Sequence, residues 1–245
     1  MSANSTPAPP WVSYSDSDLL KVRIKDLKLK IEDSDLAERI QQLHNEIDAK
    51  GLKSFKPQAY LGDEWFSPEG DPIIAVPFYL AHPRLMTLEK NLMLEVEGGT
   101  PESCMKLLRH EAGHCFDHAY KFSKRRKWKQ IFGDPAMEYN PETYHPRPYS
   151  RSFVEHIENW YAQSHPDEDF AETFAVWLSP STDWKVRYAK WPGALKKLQY
   201  IEELAQEVAG KTLIFEKMDQ VYSANKLTST LDSYYKKRVR ENAQQ

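Results

Sequence analysis

The sequence predicts an α+β fold: a small twisted mixed sheet packed on one long helix, followed by a mostly helical C-terminal half. Three observations predict it. Short alternating or continuous apolar runs, the strand signature, cluster in the first hundred residues. A helical apolar pattern opens at Thr100 and runs to about Phe122. Further helix openings follow at Pro166 and Gly193. On this reading the chain divides into a disordered tail over 1–12, an α/β part over 13–99, a helical part over 100–210 and a helical extension over 211–245.

Met1 to Pro10 is small, polar and proline-rich. Leu20, Val22, Ile24, Leu27, Leu29 and Ile31 alternate with charged residues around one slip near Asp26, which predicts one long half-exposed strand or two short ones. Asp35 and Glu38 form the pattern of a capping box, opening a helix to about Lys50 that Gly51 closes. Gln58 to Trp65 reads as a strand, and Ile73 to Leu80 is the most strand-like run of the chain. Pro77 within it points to an edge position or a bulge.

Thr100-Pro101-Glu102-Ser103 supplies an N-cap hydroxyl, a proline at the first helical position and an acid in the first turn. Cys104, Leu107, Leu108, Ala112, Cys115 and Ala119 carry the helical apolar pattern onward. Inside this helix lies His110-Glu111-Ala112-Gly113-His114. Histidines at i and i+4 share a helix face, so both imidazoles can reach one metal, and Glu111 can serve a metal-bound water as general base. Gly113 costs helix propensity, which packing or the close approach of another backbone or of substrate would explain.

Catalytic zinc takes three protein ligands and one open position. His118, one turn beyond His114, has poor geometry for a third ligand on the same straight helix. The better candidate lies in the helix opened by Pro166. There Phe170, Phe174, Trp177 and Leu178 make an apolar stripe, and Glu168 and Glu172 stand one turn apart. Buried carboxylates need a partner. A metal supplies one for Glu168, and the far N–H of a ligand histidine supplies one for Glu172. The bland alternative has both facing solvent. Tyr161, seven residues before Glu168, is a candidate for oxyanion stabilisation, against plain aromatic packing. Tyr144, Tyr149 and His156 are reserve candidates for that role.

At these residues the chain resembles the zinc-binding metallopeptidase family of bacteria, most distinctively over Trp160 to Pro166 and Phe170 to Trp177. The resemblance covers about Pro10 to Gly210, and the motif-bearing part is also similar to the anthrax lethal factor type of gluzincin. It implies a zincin-like fold, one Zn2+ per chain on His110, His114 and Glu168, Tyr161 and Glu111 as catalytic groups, and Glu172 and Asp117 behind the ligands. It also implies an edge strand that binds extended substrate, a role that falls to Ile73–Leu80 or to Leu92–Val96.

The whole chain sets bounds. Its 245 residues hold one catalytic domain with a large core, and the formal charge of −3 implies no global attraction to nucleic acid. Cys104 and Cys115, about 16 Å apart on one helix, are too distant for a disulfide, which fits a reducing, cytoplasmic setting. The N-terminus lacks a signal-peptide pattern, and no apolar run reaches the roughly 20 residues that span a membrane. Lys121 to Lys129 is basic, either a solvated helix end or a patch for an acidic partner. Residues 140–150 read as a loop bordering the cleft. The C-terminal extension could dock on the domain or serve as a partner-binding tail. The expected activity is peptide-bond hydrolysis on a peptide or protein substrate, with Glu111 as base. The alternatives are a silent zincin scaffold that binds without turnover, and a nucleic-acid-associated protease.

Overall fold

The chain enters through a 3-10 turn, Pro10–Ser13, that buries Trp11. The indole Nε1–H donates to the Leu27 carbonyl at 3.2 Å. The tail expected over 1–12 is therefore corrected at its end, because Trp11 belongs to the core. The computed structural model describes residues 8–138, 144–181, 183–213 and 220–242.

The strand expected over Leu20–Ile31 is absent. A short helix α1, Asp16–Leu19, is followed by 3-10 turns at Ile24–Leu27 and Ile31–Asp33. Ile24 and Leu27 are buried on the same side of a 3-10 turn, where i and i+3 eclipse. Lys28 then takes a left-handed conformation, φ 53°, which breaks the alternation. The backbone is satisfied from far along the chain: Ile24 N–H donates to Ser229 and Lys25 N–H to Leu227, both at 3.0 Å.

Helix α2, Leu36–Ala49, forms as expected, and Gly51 ends it at φ +85°. The expected capping box does not form. Asp35 has helical angles, φ −62° and ψ −14°, whereas a capping side chain acts from an extended residue. Strands β1, Gln58–Gly62, and β2, Ile73–Pro77, pair in parallel from Gln58↔Ile73 to Gly62↔Pro77. Phe66 adds an antiparallel bridge to Ala75. Every residue of β2 is buried. The strand expected to reach Leu80 stops at Pro77 and tightens into a 3-10 turn, Phe78–Ala81. Leu92–Val96 is not a strand: helix α3, Pro83–Met93, runs into it, and Leu94 turns left-handed at φ 65°.

Helix α4, Pro101–Tyr120, carries the histidine motif. Its capping box is reciprocal, with Ser103 N–H donating to Thr100 Oγ1 and Thr100 N–H to Ser103 Oγ, both at 3.1 Å. After it come α5, Arg126–Phe132; α6, Pro166–Leu178; α7, Trp184–Arg187; α8, Pro192–Val208; and α9, Leu231–Asn242. The fold is thus mixed α+β, mostly helical, with a small two-stranded sheet.

Helix α4 sits between α2, β2 and α6, and α6 is its main partner. Arg109 ties it to α2 through a bidentate pair with Glu46, 2.7 Å on each arm. One hydrophobic cluster extends from Trp11 to Tyr235. The C-terminal extension docks rather than trailing away: Leu231 and Tyr235 are buried, and Arg238 pairs with buried Glu89 at 2.7 Å. Two cations of the basic stretch are paired with α8. Arg125 pairs with Glu207 at 2.7 Å, and Lys127 with Glu203, both glutamates on α8. Cys104 and Cys115 are buried free thiols, as expected. No helix among the described residues is long and apolar enough to cross a membrane.

Candidate metal centre

The crossing of α4 and α6 is set by two small residues. A Cβ built on Gly113 would lie 2.7 Å from Ala171 Cα and 2.8 Å from its carbonyl oxygen. Only glycine allows the two backbones this close. Of the readings open for Gly113, the close approach of another backbone is the one found. Gly113 lies between His110 and His114, and Ala171 between Glu168 and Glu172, so the crossing brings these four side chains together.

Three donor atoms converge. His110 Nε2 lies 3.2 Å from His114 Nε2 and 3.0 Å from Glu168 Oε2, and His114 Nε2 lies 3.3 Å from the same oxygen. His110 Nδ1–H donates to Glu172 Oε1 at 2.8 Å, so in the neutral ring Nε2 holds a lone pair directed at the other two donors. Three lone pairs at this separation repel unless a cation or protons lie among them. Ligands around tetrahedral zinc, at about 2.0–2.1 Å from the metal, are about 3.3 Å apart. The observed triangle fits that spacing. Glu111 Oε2 is buried with no hydrogen-bond partner, and buried Glu168 Oε2 faces the two imidazole nitrogens, as at a site built for a cation and its water.

Electrostatics agree. Burial would lower both imidazoles, yet Glu168 and Glu172 outweigh it for His110, and Glu168 outweighs it for His114, so both pKa values rise. Burial would raise Glu168, but hydrogen bonds from the two histidines hold it below the usual carboxylate range. Without metal the site therefore gathers protons. Glu111 differs: burial pushes its carboxyl up, against the pull of His110 and His114.

Glu172 is fully buried and uses both oxygens. Oε1 accepts from His110 and Oε2 accepts the Ile157 N–H at 2.8 Å. Helix α6 is opened by His165, whose Nδ1 accepts the Asp167 N–H at 3.2 Å while Nε2–H donates to the Met137 carbonyl at 2.8 Å. Behind the ligands, Lys197 of α8 reaches buried Asp169 at 2.5 Å.

The remaining candidates separate. Tyr161 lines a cleft of about 380 Å3 with the triad and Glu111, its ring centroid 5.8 Å from that of His110. Two consecutive left-handed residues precede it, Asn159 at φ 59° and Trp160 at φ 53°. Tyr144 holds this turn, its hydroxyl near the Asn159 and Trp160 carbonyls at 2.9 and 2.6 Å. The loop expected to border the cleft over 140–150 lies outside the described residues at 140–143. From Arg147 it is tied to Gln163 by paired hydrogen bonds of 2.8 and 3.0 Å. Tyr149 is 78% exposed, with its ring against Trp160. His156 Nε2–H donates to the Lys106 carbonyl at 3.0 Å. His118 stands beside the triad, its Nδ1–H donating to the Asp71 carbonyl at 3.2 Å. Asp117 accepts from Ser123 N–H at 2.6 Å and from Ser123 Oγ–H at 2.7 Å, fastening the turn that follows α4. Sequence reasoning missed the parts played by Ile157, Tyr144 and His165. Only the last had a local signal, a polar side chain just before the proline that opens a helix.

Residues 103–236, more than half of the chain, match the model of the family described as Putative zinc-binding metallo-peptidase. The chain belongs to this family. The matched span opens in the first turn of α4 and includes the three converging donors, Glu111 and Tyr161. No curated protein and no solved structure matches the chain.

Proposed function

We propose that this metallopeptidase family member is a zinc-dependent peptidase of the gluzincin type, on a zincin-like arrangement of α4 and α6. The observation that carries the reading is the triangle of His110 Nε2, His114 Nε2 and Glu168 Oε2, with edges of 3.0–3.3 Å, beside the unpartnered Oε2 of Glu111. His110, His114 and Glu168 hold one zinc ion. Zinc there supplies a Lewis acid, which polarises a carbonyl and acidifies water.

The chain's own groups do the rest. Glu111 takes a proton from the attacking water as the water oxygen bonds to the scissile carbonyl carbon. It then returns that proton to the amide nitrogen as the C–N bond breaks. Tyr161 donates from the cleft wall to the oxygen that becomes negative. Glu172 fixes the His110 ring and makes its Nε2 a stronger donor. Asp117 serves at one remove, by holding the end of the ligand helix. The α8 glutamates that neutralise Arg125 and Lys127 count against a nucleic-acid surface there. Two buried thiols suit a reducing, cytoplasmic setting.

The test is Glu111→Gln compared with wild type, both loaded with zinc and incubated with a diverse peptide library. The expected result is equal zinc content and a loss of nearly all turnover. Undiminished cleavage by the variant would sink the mechanism. Zinc retained with no cleavage by wild type would favour the silent scaffold.

A further inference from the structure

One face of α4 lines three cavities in succession. Ser103 and Leu107 line the first, of about 370 Å3. His110, Glu111 and His114 line the middle one, of about 380 Å3. Asp117, His118 and Lys121 line the third, of about 420 Å3. At 100° per residue these positions fall within one sector of about 120° on the helix. The middle and third cavities share Glu69, His118 and Asp167. Between the first and middle ones the Trp65 ring, which lines the middle cavity, packs on Gly98, which lines the first.

From Ser103 to Lys121 the helix rises about 27 Å. An extended chain at about 3.3 Å per residue covers that length with about eight residues. The triad lies in the middle of the track. The two ends differ in charge balance: Glu95, Glu97 and Glu158 outnumber Lys106 at the first cavity, whereas Lys121, Lys124 and Lys129 are matched by Glu69, Asp117 and Asp167 at the third. Among the described residues, no lysine or arginine lines the middle cavity, so no such side chain there pairs with a terminal carboxylate.

We infer that the three cavities form one groove that takes the interior of an extended polypeptide along α4, with basic side chains of the substrate seated at its acidic end. This rests on the peptidase reading, and makes the enzyme an endopeptidase. Capture of a free amino terminus by Asp167 or Glu69 is the competing geometry.

The test is calorimetric titration of the full-length, zinc-loaded Glu111→Gln protein with peptide pools acetylated and amidated at their ends, three, five, eight and ten residues long. The expected affinity rises about tenfold or more from three to eight residues, then levels off, and does not need a free amino terminus. Pools with lysine at one end should bind severalfold more weakly to a Glu97→Gln, Glu158→Gln form at low salt, while uncharged pools should not change. Affinity indifferent to length, absence of binding by the eight-residue pool, or dependence on a free amino terminus would overturn the groove. An unchanged response to lysine would overturn its polarity. Turnover of the same pools by wild type reads the peptidase reading separately. Length-dependent binding without turnover would sink that reading and keep the groove, whereas cleavage of unblocked peptides alone would do the reverse.

Discussion

Gly113 and Ala171 touch backbone to backbone, 2.7 Å from the place where a Gly113 Cβ would stand to the Ala171 Cα. This contact sets the distance between α4 and α6, and so the spacing of the three donors. A site of this kind depends on a residue that carries no functional group.

Gly113→Ala should therefore act on metal and fold together. The added methyl overlaps backbone rather than a flexible side chain, so the helices must separate. A loss of about 1–3 kcal/mol is expected, the usual range for an overpacked core. Zinc affinity should fall with it, because the donors move apart. Denaturant melts and a zinc titration would check both. Unchanged zinc affinity in a folded variant would mean that the crossing does not control the site.

Glu172→Gln tests the support of His110. The substitution keeps the shape and removes the charge that orients the ring. Zinc affinity is expected to fall about 10–100-fold, the range seen for groups behind a ligand histidine. Competition with a chromophoric chelator would measure it. An affinity equal to wild type would remove Glu172 from the account.

Lys197→Met leaves Asp169 buried at 1% exposure without its cation. Loss of one partner of a buried pair costs about 3–5 kcal/mol. Adding Asp169→Asn should recover part of that loss, because no bare charge remains. Urea melts of the single and double variants check this, and a double variant no better than the single would contradict it.

Removal of metal should destabilise the fold. Zinc binds the folded arrangement of donors from two helices, so it stabilises by mass action. A chelator should lower the melting temperature of wild type, and zinc should restore it. The Glu168→Ala protein should respond far less. An equal response in both would place the metal elsewhere.

The histidine helix was legible in the sequence because its signals are local: the Thr100–Ser103 cap, the spacing of His110 and His114, and the proline that opens α6. Glu168 and Glu172 were legible by the same logic, as carboxylates one turn apart on an otherwise apolar helix. The run from Leu20 to Ile31 misled because apolar alternation does not separate a strand from successive 3-10 turns. What decided it was pairing with Leu227 and Ser229, some two hundred residues away in the sequence. The docking of α9 through Arg238 and Glu89, and the hold of Tyr144 on the turn before Tyr161, rest on equally non-local contacts. No periodicity announces those.

The most direct test is the zinc content of wild type beside Glu168→Ala, by elemental mass spectrometry after reloading and dialysis. The account predicts about one zinc per chain in wild type, lost or greatly weakened in the variant. A wild-type protein that holds no zinc after reloading would contradict it.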